Sequence, residues 1–173
     1  MIIEKGTSAD IDELEILYDN LNDYLDKNIN YPGWLKGIYP VRETAVQGIA
    51  EDSLFVLRID NTIAGSIILN NTPESAYNQV RWGIDADYDN ILVIRTLVVN
   101  PLFLKKGIAS HLMNYAKEYA QSKNMKALRL DVSVNNTPAI ALYRKLGYRE
   151  TGTVDLGLNY QHLIWFKLFE LLL

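Results

Sequence analysis

Two short segments of this 173-residue chain contain residue types whose spacing suits anion binding and proton transfer. The first, NPLFLKKGIASHLM at residues 100–113, places Lys105, Lys106 and Gly107 just ahead of apolar residues at helical spacing. A helix N-terminus presents N–H groups that have no intrahelical partner, together with a partial positive charge. A glycine turn can bring several of these groups onto a phosphate. Alone, the segment is more typical of an ordinary helix start.

The second segment, NNTPAIALYRKLGY at residues 135–148, predicts a helix that carries one tyrosine. An asparagine or threonine can cap its start, Pro138 suits its first turn, and Gly147 lies just past its end. Tyr143 within it is either a core aromatic or a proton donor. A phenol is a reasonable acid for a thiolate, because their reference pKa values are about 10 and about 8.5.

Together the two segments resemble the signatures of the GNAT superfamily of acyl-CoA-dependent N-acyltransferases. The family's loop, Arg/Gln-x-x-Gly-x-Gly/Ala after a strand, corresponds to residues 104–109. Its second signature, Asn-x-x-Ala-x-x-Leu-Tyr-x-x-x-Gly-Phe/Tyr, corresponds to Asn136, Ala139, Leu142, Tyr143, Gly147 and Tyr148. The resemblance covers roughly residues 50–170, in the family's order and spacing. Because Leu104 stands where the family favours Arg or Gln, we assign diphosphate binding to the backbone of the loop.

The resemblance implies direct acyl transfer from acetyl-CoA. The strand RTLVV should carry a bulge, and its backbone should pair with the pantetheine arm like an added strand. The Leu97 N–H, or its neighbour's, would stabilise the oxyanion of the tetrahedral intermediate. Tyr143 would protonate the CoA thiolate, and Asn136 would contact the pantetheine arm or a water. The implied CoA-binding residues are Leu97, Val98, Val99, Leu104, Lys105, Lys106, Gly107, Ile108, Ala109, Ser110, Asn136 and Tyr143.

A base for the amine proton is less well defined by the sequence. The amine must be neutral to attack, so a carboxylate or a water must take its proton. Some family members place a glutamate early in the central strand, where this chain has Val93. Asp131, a carboxylate inside a predicted strand, is a candidate, and a hydrogen-bonded sheet residue is an equally good interpretation. The other candidates are water, Asp85, Asp87 and Asp89.

Aromatic and acidic side chains near the predicted site suit a cationic amine acceptor. The segments NYPGWLKGIYP and RWGIDADYD supply them, and we select Trp34, Tyr39, Trp82 and Asp131 as acceptor contacts. For any one of these aromatic residues, packing of helices on the sheet is the alternative.

The remaining elements must hold these residues in place. A helix is predicted over residues 7–27, with apolar residues at helical spacing, and a β-hairpin around Asp60–Asn61. The β-branched run at 91–100 predicts a buried central strand, and the unit 91–133 a parallel strand pair. The polar segment 71–90 contains a short helix or shapes a site.

Two closing strands, at 148–154 and 160–170, complete the order β-α-α-β-β-β-α-β-α-β-β. The expected fold class is therefore α/β (α+β). It is a GNAT-like mixed, mostly antiparallel twisted sheet of about seven strands flanked by about four helices. We expect one domain over residues 1–173.

Composition excludes several classes of protein and site. The absence of cysteine rules out disulfides, thiolate zinc sites and a cysteine nucleophile. A net charge of −4 argues against nucleic-acid binding. No apolar run reaches the ~18 residues of a membrane span. His111 and His162 lack a ligand pattern, which predicts no metal site, and His162 is expected in the core. With no secretory signal at the start, we expect a cytoplasmic protein.

The sequence therefore predicts an acetyl-CoA-dependent N-acetyltransferase that acts on a primary amine of a small molecule or peptide. The first alternative is a non-catalytic acyl-CoA sensor with the same fold. The second is an unrelated nucleotide-binding α/β enzyme. The apolar tail and the aromatic side chains suggest a homodimer.

Overall fold

A computed structural model describes residues 1–173 as one sheet and four α-helices. The helices are α1 (Ile11–Lys27), α2 (Arg42–Ala50), α3 (Ile108–Ser122) and α4 (Thr137–Lys145). The strands are β1 (Ile2–Lys5), β2 (Leu54–Ile59), β3 (Thr62–Asn70), β4 (Ile91–Val99), β5 (Ala127–Ser133), β6 (Arg149–Tyr160) and β7 (Leu163–Leu172).

The seven strands lie in the order β1-β2-β3-β4-β5-β7-β6. The β4–β5 pair is parallel, whereas the pairs β1–β2, β2–β3, β5–β7 and β6–β7 are antiparallel. The expected mixed, mostly antiparallel sheet with about four helices is confirmed, and so is the order of elements.

The chain forms two compact units, and the single domain expected from the sequence stays a prediction. The first unit comprises residues 1–30, 34–69 and 95–116, and the second residues 31–33, 70–94 and 117–173. None of the helices is long and apolar enough to cross a membrane.

Helix α1 buries the apolar stripe that its sequence predicts. Leu14, Leu17 and Tyr18 are almost inaccessible and pack in the core of the first unit with residues of β2 and β3. A single 3₁₀ turn over Ser8–Asp10 precedes the helix, and the Asp10 carboxylate accepts the Thr7 N–H at 2.8 Å. This carboxylate satisfies a donor at the helix start that would otherwise have no partner.

The β2–β3 hairpin turns at the predicted dipeptide. Asp60 and Asn61 have φ values of 48° and 62°, and Ile59 pairs with Thr62 across the turn. Two consecutive left-handed residues give a turn whose twist matches that of the strands. The dipeptide therefore fixes the register of the hairpin.

The closing strands extend further than the sequence predicts. Strand β6 runs to Tyr160, which was expected to begin the next strand, and Tyr160 pairs with Leu163 across a two-residue turn. Gly157 and Asn159 adopt positive φ inside β6, so residues typical of a turn lie in an irregular strand. The prediction for His162 is wrong. It is exposed at the turn, with Nε2 3.1 Å from the Gly33 carbonyl oxygen.

Candidate active site

Strand β4 changes character halfway along its length. Its parallel ladder with β5 joins Ile91–Ile94 to Ala127–Leu130 and ends there, although β4 continues to Val99. Thr96 has a φ of 47°, a left-handed conformation that β-branched residues rarely adopt. A left-handed residue inside a strand breaks the regular alternation of backbone groups, as in a β-bulge. The irregularity expected in RTLVV is therefore present at Thr96.

Asn100 fixes the end of β4 and the start of the following turn. Its buried side chain donates from Nδ2 to the Ile63 carbonyl at 3.0 Å and accepts the Leu102 N–H at 3.0 Å. Its own N–H donates to the Ala64 carbonyl at 2.9 Å. One amide side chain thus ties the turn to β3.

The turn at residues 104–107 is exposed and leads directly into α3. Lys105 and Gly107 have φ values of 61° and 75°, so two left-handed residues shape it. A Cβ on Gly107 would meet only the His111 ring, at 3.9 Å, so glycine serves the backbone conformation and leaves open space. The first intrahelical bond runs from the His111 N–H to the Gly107 carbonyl. The N–H groups of residues 108–110 precede it and suit an anion.

Gly65 on β3 sets how closely α3 approaches the sheet. A Cβ at this position would lie 2.7 Å from the Val98 carbonyl oxygen and 2.8 Å from Ile108 Cγ2. Ile108 is the first residue of α3, so this close contact places the helix start. This role has no signal in the sequence, because a glycine inside a strand run does not reveal which atoms pack against it.

We expect Gly65→Ala to lower the free energy of unfolding by about 1–3 kcal/mol, the usual cost of overpacking a core. The nearest atom is a backbone oxygen, which cannot move aside by a change of rotamer. Urea unfolding measures the effect. An unchanged midpoint would show that α3 shifts freely and that Gly65 does not place it.

In the second unit, Asn136 caps α4. Its Oδ1 accepts the Ala139 N–H at 3.4 Å, and Pro138 occupies the first turn as predicted. This contact accounts for an asparagine in the signature without a ligand, and the predicted contact with the pantetheine arm stays a prediction.

Tyr143 on α4 is buried, with its ring 6.1 Å from those of both Tyr148 and Phe169. Burial raises the pKa of the Tyr143 hydroxyl above its ordinary value, and the nearby Asp131 raises the pKa further. The phenol therefore stays protonated throughout the neutral range and can hold a proton for a leaving group. Tyr143 packs as a core aromatic and also keeps the protonation state that an acid needs.

Asp131 lies on β5, partly buried, as the alternative of a hydrogen-bonded sheet residue predicted. Its Oδ2 accepts a hydrogen bond from the Tyr77 hydroxyl at 2.6 Å. Tyr77 is itself almost fully buried, so this donor has a fixed position. The structure brings Asp131 close enough to Tyr143 to influence its ionisation. The other candidate carboxylates remain predictions, and Asp85 lines the pocket described next.

Trp82 lines a pocket of about 300 Å³ in the second unit. Arg129 also lines it and covers the aromatic rings, with the guanidinium carbon 4.3 Å from the Trp82 ring centroid and 5.3 Å from that of Tyr88. The Trp82 indole N–H donates to the Tyr77 carbonyl at 2.9 Å. One aromatic face predicted to meet a cationic acceptor therefore already meets a cation.

Arg129 is balanced by Glu170 of β7. Arg129 Nε lies 2.9 Å from Glu170 Oε2, both side chains are almost inaccessible, and Glu170 Oε1 accepts the Gly83 N–H at 2.6 Å. The ion pair anchors the 71–90 segment to the sheet. Sequence reasoning missed it, because the partners are 41 residues apart and neither lies in a motif.

Trp34 and Tyr39 come together in the first unit. Their rings meet edge to face with centroids 5.4 Å apart, and Trp34 packs against the core there. The Tyr39 hydroxyl is hydrogen-bonded to Thr96 Oγ1 at the irregularity in β4. One of the two predicted acceptor aromatics thus reaches the strand expected to bind the thioester.

A family model for the acetyltransferase (GNAT) family matches residues 17–148. This chain belongs to that family. The matched range includes strand β4 with the left-handed Thr96, the turn before α3 and Tyr143. Glu170 and Phe169 on β7 lie beyond it.

Curated relatives agree with this assignment, and solved structures share the fold. Streptothricin acetyltransferase of Escherichia coli is 32% identical over 57% of this GNAT chain and 47% of its own length. An N-alpha-acetyltransferase of Saccharolobus solfataricus is 30% identical over 57% of each chain. The chain thus spans about half the length of the curated relatives that it matches. A protein from Salmonella typhimurium, described as an acetyltransferase and solved with its cofactor acetyl-CoA, shares the fold. Its TM-score is 0.70 at 13% identity, and the match covers 99% of this chain and 92% of that one.

Proposed function

We propose that this protein transfers the acetyl group of acetyl-CoA to a primary amine by direct attack, without a covalent acyl-enzyme. The single observation that carries the proposal is the left-handed Thr96, beyond which β4 continues without its β5 ladder. Backbone groups of Leu97, Val98 and Val99 can then pair with an extended, amide-containing ligand, as an added strand would. Pantetheine is such a ligand.

The turn that follows β4 supports binding of the diphosphate. The amides of Ile108, Ala109 and Ser110 open a helix of 15 residues, and Lys105 and Lys106 are exposed beside them. In our proposal the backbone from Leu104 to Ser110 holds the diphosphate, the lysines add positive charge, and Asn136 contacts the pantetheine arm.

Acetyl-CoA supplies the acyl group as a substrate, and the chain supplies an oxyanion donor and an acid. The amine nitrogen forms a bond to the thioester carbon while the Leu97 N–H stabilises the charge on oxygen. The carbon–sulfur bond breaks and Tyr143 gives its proton to the thiolate. The proton lost by the amine passes to Asp131 or to a water, and Tyr143 regains a proton from solvent.

The acceptor in this proposal is a cationic amine on a small molecule or a peptide. The acidic balance of the chain favours a cation, and its relatives include both a streptothricin acetyltransferase and N-alpha-acetyltransferases. Trp34, Tyr39, Trp82 and Asp131 remain the predicted acceptor contacts. A cytoplasmic location and a homodimer stay predictions.

Two measurements test the proposal. Acetyl-CoA and CoA should raise the melting temperature of the protein, whereas ATP and NAD should not, because only a ligand that binds the folded state stabilises it. Thiol release from acetyl-CoA over a panel of amines should then identify an acceptor. Stabilisation by CoA without thiol release for any amine would favour the sensor. Stabilisation by ATP or NAD alone would overturn the proposal.

A further inference from the structure

Thr96 has a backbone conformation that its own side chain disfavours. It is a buried, β-branched residue with a φ of 47° inside a strand. Conformations of this kind persist only where the surrounding structure fixes them, and they cluster at functional sites. Some contact in the first unit must therefore hold Thr96.

Tyr39 makes such a contact. Its hydroxyl is hydrogen-bonded to Thr96 Oγ1, although the two residues are 57 positions apart in the chain. Tyr39 is itself held: its N–H donates to the Leu35 carbonyl at 3.0 Å, and its carbonyl accepts from Asn22 Nδ2 at 3.2 Å. The edge-to-face contact with Trp34 fixes its ring. The hydroxyl thus reaches the bulge from a rigid support.

Two further hydroxyl groups lie in the core of the first unit. Tyr18 Oη and Ser66 Oγ are buried, and neither makes a hydrogen bond of good geometry. Burial raises the pKa of Tyr18 to about 12, Ser66 opposes the shift, and Tyr39 adds to it. A buried hydroxyl without a hydrogen bond costs stability, so these two groups are unfavourable for folding.

We propose that Tyr39 is a positioning residue that, through Thr96, fixes the direction of the Leu97 N–H toward the thioester oxygen. The left-handed backbone at Thr96 sets the peptide plane that carries this N–H. An oxyanion donor acts only when it is placed in advance, so a small rotation of that plane lowers its effect. The inference rests on the proposed acyl transfer. It assigns Tyr39 to the placement of the Leu97 N–H rather than to contact with the acceptor amine.

A double-mutant cycle tests the inference, with acetyl-CoA and the amine that gives the highest rate in the panel. Tyr39→Phe keeps the ring and removes the hydroxyl, and we expect kcat to fall about tenfold while the Kd for CoA changes less than about twofold. Thr96→Gly adopts positive φ without strain and has no hydroxyl to hold. In that background Tyr39→Phe should change kcat by less than about twofold. Tyr24→Phe, which removes an exposed hydroxyl from α1, is the control and should leave kcat unchanged.

An NMR measurement keeps the test independent of turnover. The Leu97 amide resonance should shift with acetyl-CoA more than with CoA, and the difference should disappear in Tyr39→Phe. An equal loss of kcat from Tyr39→Phe in both backgrounds would mean that Tyr39 contacts the acceptor, and this result overturns the inference. The inference is also overturned if the Leu97 resonance of Tyr39→Phe keeps the wild-type difference between acetyl-CoA and CoA. If neither CoA nor acetyl-CoA shifts the Leu97 resonance in the wild-type protein, the result contradicts the proposed function itself.

Discussion

Tyr143→Phe is expected to lower kcat for acetyl transfer by about 100-fold or more, the usual contribution of a general acid. The Kd for CoA should change less than about twofold, because the substitution leaves the ring and its contacts with Tyr148 and Phe169 in place. Without the phenol the thiolate must leave unprotonated or take its proton from water. Thiol release at saturating acetyl-CoA and amine, together with titration of CoA, separates the two quantities.

Tyr148→Phe provides a matched control for this experiment. Tyr148 lies in the same aromatic cluster, is also buried, and its hydroxyl has no hydrogen-bond partner. Removing that hydroxyl should leave kcat unchanged and should not destabilise the fold, because an unsatisfied buried polar group is lost. If both variants lost activity equally, packing of the cluster would explain the effect. If Tyr143→Phe kept its kcat, the acid would be another group.

Glu170→Gln is expected to destabilise the fold by about 3–5 kcal/mol, since it leaves the buried Arg129 charge without its counterion. Both side chains are almost inaccessible, so water cannot take over the role of the carboxylate. The 71–90 segment should loosen as well, because the single oxygen of Gln cannot accept from both the Gly83 N–H and the Arg129 Nε–H, as the two oxygens of Glu170 do. Urea unfolding gives the first effect, and hydrogen exchange across residues 71–90 gives the second.

Asp23→Asn is the control for the ion pair. Asp23 pairs with Lys36 at 2.8 Å, but both side chains are about half exposed, so its removal should leave the unfolding midpoint unchanged. Equal effects of the two variants would contradict the assignment of Arg129–Glu170 as a structural pair. A small effect of Glu170→Gln would show that the aromatic rings and the Ile84 carbonyl are sufficient for Arg129.

The sequence predicted the features that depend on neighbouring residues. The α1 stripe, the turn at Asp60–Asn61 and the cap of α4 each follow from a pattern within about 20 residues, and the structure contains them all. The run at 91–100 was expected to be a buried strand throughout, but only Ile91–Ile94 is continuously buried. The parallel pairing of β4 with β5 also followed, because a helical crossover joins parallel strands. The bulge in β4 was expected only from the family resemblance.

What the sequence did not predict depends on contacts between distant residues. Thr96 is an ordinary strand residue by type, and neither its left-handed conformation nor its hydrogen bond with Tyr39 has a local sequence signal. His162 is followed by apolar residues in the sequence, yet it lies in the hairpin turn and is exposed. In the same way, Asp131 reveals neither its Tyr77 donor nor its closeness to Tyr143. Such pairs are set by the fold and have no local pattern.

Arg129 acts as a tethered cationic ligand of the Trp82 and Tyr88 rings. Because it is attached to the chain, its effective concentration at the rings of Trp82 and Tyr88 is far above that of a free amine in the cell. Arg129 covers one face of Trp82. A cationic compound could bind there only by displacing the Arg129 side chain, which is attached to the chain and does not diffuse away. Substitution of Arg129 by a short apolar residue would leave a space between these two rings and the Glu170 carboxylate that small guanidinium compounds could fill. Recovery of stability by an added guanidinium compound would then measure chemical rescue of the Arg129 variant, and it would not identify the acceptor amine.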